Sequence, residues 1–438
     1  MLTNVVMRLG VLSSSLLALL SCSSDPAGTL QITTGEETDV FTRTPAPSLL
    51  TVDSLAQDGT STEIARATLP ASTIDLGRRD QSTIAAISVR GLDAVGATLI
   101  RGETLYVELG ALKGSTLDVF VQRSGELARM PAGPIAIAAT KATVTVGRYV
   151  LLTAGTTGTL YDLLNLTTLA STPVLPRAAK SVATVGTIVL LVDDTGATTL
   201  DLSDSSTSEI AAPSNGTYAE VAGGDRFGAS DTTQYIVGAT RTSGDPTARI
   251  LVVATSNAAS FAGLTAPRAG ACAVYVNGRG LLVYGGSGTA AGAELLAPGS
   301  TLAAPLPIPP DAVHGCGATL LDSTHVLIVG GTGATGDTGA GLPARVLDLT
   351  CTTNCAPVAW PDVVKLTTAQ VQPLAADAAF VLGDDASGST HAYRISAAAG
   401  MREITLKAPR QGGKLVYSPT GAVHVVGGNA AGVEQYLE

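Results

Sequence analysis

Two acidic pairs, four histidines and five cysteines are the side chains of this sequence with the clearest capacity for chemistry. Asp193-Asp194 and Asp384-Asp385 have the residue type that glycoside hydrolysis needs, one carboxyl as acid and a second as base or nucleophile. Each pair also ends an aliphatic run, where other runs of this chain end in glycine, so the competing reading is a turn. His314, His325, His391 and His424 could ligate a metal, but no HxxxH or CxxC spacing groups them into a zinc site. No Gly-x-Ser-x-Gly elbow marks a nucleophilic serine. No catalytic residue, metal or cofactor is therefore assigned.

The amino terminus decides how the cysteines are read. Arg8 precedes an apolar stretch from Leu9 to Leu20 that serines interrupt. That stretch is too short to span a bilayer, which takes about 20 apolar residues. It ends in Leu19-Leu20-Ser21-Cys22, which resembles the lipobox of bacterial lipoproteins. The resemblance implies a signal peptide over residues 1–21, lipidation at Cys22 and a tether over 22–29 containing Ser23-Ser24-Asp25-Pro26. An ordinary secretory signal with an incidental cysteine is the alternative. Either one exports the protein, and the first anchors it by lipid to a bacterial envelope membrane, inner or outer. In an oxidising compartment the four remaining cysteines read as disulfides. Cys351 and Cys355 would pin the turn between Arg345–Leu349 and Pro357–Trp360, while Cys272 and Cys316 stand near equivalent points of neighbouring repeats.

Those residues have to be positioned by strands. Of 438 residues, 45% are hydrophobic and only 14% charged, which describes a packed protein with a sizeable core. Aromatics are 4%, so the core is aliphatic, as narrow β-packing prefers. A net charge of −10, with no basic run beyond Arg78-Arg79, argues against a nucleic-acid partner. Aliphatic runs stop at Ala154-Gly155, Asp193-Asp194, Val237-Gly238, Gly285-Gly286, Gly330-Gly331, Leu382-Gly383 and Gly427-Gly428. A period of about 40 to 50 residues made of short strands is the mark of a propeller blade.

Further features accompany the stops. Pro176-Arg177, Pro267-Arg268 and Pro409-Arg410 open three of the repeats, and turns such as Asn277-Gly278 precede the run into Gly-Gly. Tyr161-Asp162, Leu200-Asp201 and Leu347-Asp348 mark a third strand. This order resembles the kelch repeat over about residues 126–438, with Trp360 alone able to supply the tryptophan such repeats carry. The resemblance implies that the loops entering each blade and those after the second strand share one face. Arg177, Arg268 and Arg410 would then ring that face as candidate ligand-binding residues for carboxylates of a peptide or acidic sugar. The competing reading pairs these arginines with neighbouring acids. The kelch resemblance also raises galactose oxidase, whose copper site needs two histidines and tyrosines on one face. The Gly330–Leu342 loop is a mobile binding loop or a tolerated insertion.

Val433–Leu437 reads as a third strand lacking a fourth, and Gly125–Pro131 as a fourth lacking a third. Joined, they close a ring and remove the open edge. The expectation is an all-β protein: a small immunoglobulin-like β-sandwich over 30–122, then a seven-bladed kelch-like β-propeller over 123–438 with an N-terminal closing strand. Six or eight blades are the alternatives, as is a linker in the first part of 30–122. The expected function is non-enzymatic: a monomeric, envelope-anchored binding or scaffold protein for a protein or glycan ligand. The alternative is a carbohydrate-active enzyme on the same fold.

Overall fold

The structure, a computed structural model, describes residues 28–77, 82–131, 142–170, 173–185, 188–222, 226–230, 233–286, 292–333, 339–353, 355–361, 364–375, 377–418 and 420–438. Residues 1–21 and Cys22, with most of the tether, lie outside this set.

Seven four-stranded antiparallel sheets form the blades of a β-propeller. Blade 1 holds Ala142–Val146, Tyr149–Ala154, Thr157–Asp162 and Thr167–Thr168, and blade 2 holds Ser181–Val185, Ile188–Val192, Ala197–Asp201 and Thr207–Ile210. Blade 3 holds Arg226–Ser230, Thr233–Val237, Arg249–Ala254 and Ala259–Gly263. Blade 4 holds Cys272–Val276, Gly280–Tyr284, Ala293–Leu296 and Ala304–Pro305. Blade 5 holds Gly317–Leu320, His325–Val329, Arg345–Asp348 and Val358–Ala359. Blade 6 holds Thr368–Ala375, Ala378–Asp384, Thr390–Ser396 and Gly400–Ile404. Blade 7 holds Gly413–Tyr417, Val423–Gly427 and Val433–Tyr436, and takes Leu127–Arg129 as its fourth strand, with Glu434 opposite Arg129.

Six of the seven aliphatic stops fall at the end of a second strand. The reason is burial on both faces. Side chains alternate across a strand, and a sheet packed between two others needs apolar residues at every position. In blade 2, Leu190 and Val192 join the core shared with blade 3, while Val189 and Leu191 join the core shared with blade 1. Gly383 departs from the expected position: its strand continues through it to Asp384, and the turn follows one residue later.

Ahead of the ring, strands Thr29–Thr33, Leu49–Leu55, Ser61–Thr68, Thr73–Asp75, Ile84–Leu92, Thr98–Glu103, Val107–Glu108 and Thr116–Arg123 form a small all-β domain. Seven of them run as one hydrogen-bonded path in a barrel-like arrangement rather than as two separate sheets, Val107–Glu108 pairs off that path with Ile84–Leu92, and Thr29–Thr33 lies parallel to Thr116–Arg123. Its own core contains Leu50, Val52, Ile87, Val89 and Ile100. Phe120 instead reaches into the propeller, among Val150 and Tyr161 of blade 1 and Val416 and Val426 of blade 7.

Candidate functional site

The end of each blade where the second strand stops is the natural place to look for function, because the variable loops meet there. The second glycine of a Gly-Gly pair does a specific job at this end. A Cβ on Gly286 would stand 2.7 Å from the Arg268 side chain, and one on Gly428 would stand 2.7 Å from the Arg410 carbonyl oxygen. Both glycines have positive φ, +100° and +73°. The pair therefore lets the chain turn directly against the Pro-Arg corner.

At that corner the arginines meet acids from the third strand of their own blade. The Arg268 Nε donates to Glu294 Oε1 at 2.8 Å, and its Nη1 donates to the carbonyls of Gly285 and Gly292. The other oxygen of Glu294 accepts from the Thr265 amide at 2.6 Å. Blade 7 repeats the arrangement: Arg410 Nε to Glu434 Oε1 at 3.0 Å, Nη1 to Gly427 and Gly432 carbonyls, and Lys407 amide to Glu434 Oε2 at 2.9 Å. Both pairs are almost wholly buried. Arg177 in blade 2 is held by Thr198, Asp193 and Glu209, and its side chain keeps 12% of its exposure. Each of the three guanidiniums is thus held inside its own blade, and the structure does not bring them together as a ring of open forks.

Register explains the match. Glu294 lies opposite Val283, and Glu434 opposite Val425, each two residues ahead of the Gly-Gly pair. Sequence reading missed both acids. Their signal was available in Ala293-Glu294-Leu295-Leu296 and Val433-Glu434-Gln435-Tyr436, two third strands with glutamate in the same slot. In blade 5 that slot, opposite Ile328, holds Arg345, and the residue after Pro310 is Asp311. The pair is reversed there, with Arg345 Nη1 donating to Asp311 Oδ2 at 3.0 Å. Tyr284 of blade 4 also donates its hydroxyl to Asp311.

Of the remaining candidates only Asp385 and His391 meet, at 3.2 Å, and the others are dispersed. Asp193 accepts from the amides of Thr195 and Gly196 as well as from Arg177, Asp194 meets Lys180 at 3.4 Å, and Asp385 accepts from Ser387 and Ser389. These are turn carboxylates, as the repeat position suggested. Hydrogen bonds from Ser387 and Ser389 hold Asp385 well below the usual carboxylate range. His314 bonds Thr332, His325 bonds Asp322, and His424 bonds Gln435. Burial lowers the His391 pKa, but hydrogen bonds to Glu403 and Asp385 outweigh it and hold the imidazole above its ordinary value. Among the described residues, no three His, Cys, Asp or Glu side chains gather to hold a metal ion.

Two disulfides are present. Cys272–Cys316, with Cα atoms 5.5 Å apart, ties the first strand of blade 4 to the residue preceding the first strand of blade 5. Cys351–Cys355, at 5.6 Å, closes the turn between the third and fourth strands of blade 5. Of the Gly330–Leu342 loop, residues 334–338 lie outside the described set. Among the described residues, no helix is long and apolar enough to cross a membrane.

No family model matches the chain, and no curated protein matches it. Solved structures do match the chain. One, from the mitotic checkpoint complex, has a TM-score of 0.48 and 10% identity over 72% of this chain and 92% of its own. An extracellular domain assigned to a one component system of B. thetaiotaomicron has a TM-score of 0.46 and 9% identity, over 71% of this chain and 39% of its own. The computationally designed Ika8 protein has a TM-score of 0.45 and 9% identity, over 71% of this chain and 100% of its own.

Proposed function

We propose that this protein is an exported, lipid-anchored envelope component that binds a protein or glycan through the Gly-Gly end of a kelch-like propeller. The observation that carries the binding reading is how the corner charges are disposed. Arg268, Arg410, Glu294 and Glu434 are consumed by one another inside the blades, so the repeated polar groups serve the ring. What varies from blade to blade is the loop after the second strand, and variable loops on a rigid ring suit recognition. Export is supported by the two disulfides, which persist in oxidising compartments. Anchoring rests on the Leu19-Leu20-Ser21-Cys22 sequence.

A glycan and peptide array probed with the exported protein tests the binding reading, and a blank array overturns it. Release of reducing sugar from a bound glycan would replace it with the carbohydrate-active enzyme. Metabolic labelling with a lipid analogue tests the anchor: wild type takes the label and Cys22→Ala does not. An unlabelled wild type refutes lipidation.

A further inference from the structure

The reversed corner at the junction of blades 4 and 5 has donors left over. In blades 4 and 7 the guanidinium arrives with the loop, and nearby carbonyls of the Gly-Gly turn accept its Nη1. In blade 5 the guanidinium arrives from the third strand instead. Its Nη1 is held by Asp311, and its Cζ lies 5.8 Å from the centre of the Tyr284 ring. The Nε and Nη2 of Arg345 are shielded from solvent and have no acceptor among the described residues. Those two nitrogens form the parallel edge of the fork, the edge that Arg148 presents to both oxygens of Asp162 at 2.8 and 2.6 Å. Charged donors without an acceptor are costly in a protein interior, so this edge demands an oxyanion.

We propose that the Nε–Nη2 edge of Arg345 is the seat for a carboxylate group of the ligand, at the Gly-Gly end of the ring between blades 4 and 5. The proposal rests on the binding reading above and names the chemistry of what is bound. A carboxylate matches a planar fork with two parallel hydrogen bonds. Asp311 fixes the orientation of the fork by occupying its far end, and the Tyr284 face supports the cation. The Asp311 charge also selects: with the guanidinium charge offset, an anion at the free edge is held mainly by the two parallel hydrogen bonds, and a phosphate dianion meets about twice the repulsion from Asp311 that a carboxylate does. The Arg345 side chain keeps 14% of its exposure and Asp311 22%, which places the seat near the rim of the ring.

The test uses the whole protein with ¹⁵N-labelled arginine, titrated with acetate, glucuronate, glucose and inorganic phosphate. One Nε–H resonance, assigned by its loss in Arg345→Lys, is expected to shift saturably with acetate and glucuronate. Glucose should leave it unmoved, and phosphate should act at least about tenfold more weakly, through the selection by charge above. The double substitution Asp311→Arg/Arg345→Glu recreates the blade 4 and blade 7 arrangement. It should melt as the wild type does and show no saturable response attributable to this corner. If that variant does not fold, acetate stabilisation in thermal melts of Arg345→Lys decides, with uptake about tenfold weaker than wild type expected for loss of the planar fork. The proposal is overturned by a wild-type resonance that never saturates, which would mean that the edge holds water. Equal acetate uptake by Arg345→Lys, or a response that survives in the folded double variant, overturns it as well. A saturable acetate response with a blank array keeps the seat and removes the surface-binding reading. Array hits indifferent to acetate and to Arg345→Lys do the reverse.

Discussion

Glu434 shows what happens to a charge once it is buried beside its partner. It is 0% exposed and accepts from Arg410 and from the Lys407 amide, so removing it leaves a buried guanidinium with no counter-charge. Glu434→Ala is expected to cost about 3–5 kcal/mol in urea denaturation, whereas Arg410→Met/Glu434→Leu should cost far less, because no lone charge remains. His424 makes a second prediction. Burial pulls its pKa from 6.5 to about 4, against the pull of its hydrogen bond to Gln435. Above pH 6.5 the imidazole is neutral folded and unfolded. As pH falls from 6.5 towards 4 only the unfolded chain takes up the proton, so stability declines, by about 3 kcal/mol across that window. His424→Gln should flatten this part of the stability-against-pH curve; an unchanged slope would place the dependence elsewhere. The Pro-Arg arginines themselves were legible as a repeated pair of residues. Their partners were not, since nothing in a dipeptide states which acid of a later strand will face it.

At the scale of the element, the blades were legible because their second strands are buried on both faces, and such strands need unbroken aliphatic sequence. Ile188–Val192 and, after its leading histidine, His325–Val329 are examples, each ending where the turn begins. The turns announce themselves less openly. Asp193 with Thr195, Asp322 with Thr324, Asp348 with Thr350 and Asp385 with Ser387 all close on a side-chain carboxylate that accepts the amide two residues on. That Asp-x-Ser/Thr pattern is visible in the sequence and distinguishes a turn from a catalytic acid. The disulfides belong to this scale too. Cys272–Cys316 spans 44 residues and Cys351–Cys355 only 4. Chain-entropy arithmetic gives about 4 kcal/mol for the longer link and about 2 for the shorter. Replacing each pair by alanine should rank in that order in denaturant midpoint, and mass mapping without reductant should find both links. An equal or inverted loss would show that the longer link strains the two blades it joins.

At the scale of the whole molecule, the amino-terminal domain is built into the closure of the ring. Phe120 fills the junction of blades 1 and 7, the Gly125 amide donates to the Leu437 carbonyl, and Glu37 pairs with Arg129 of the closing strand. A buried relay runs from His424 to Gln435 to Gln122, with Gln435 Nε2 donating to Gln122 Oε1 at 3.1 Å. These contacts predict that both domains melt in one calorimetric transition. Phe120→Ala should lower it by the loss typical of a buried phenylalanine, about 3–5 kcal/mol. Two separate transitions, with the propeller's unmoved by the substitution, would show the domain to be only a stalk. The period, the strands and the closing of the ring by Gly125–Pro131 are written in the local sequence, and the two cysteine pairs are suggested there. Each of these follows from local burial, turn chemistry or repeat spacing. Tertiary structure alone decided which acid each corner arginine faces, that blade 5 reverses the pair, and that Gln122 bonds a residue 313 positions away. The reason is physical: alternation records whether a side chain is buried, while its partner is chosen by register across a sheet and by packing between blades, which join segments far apart in the chain.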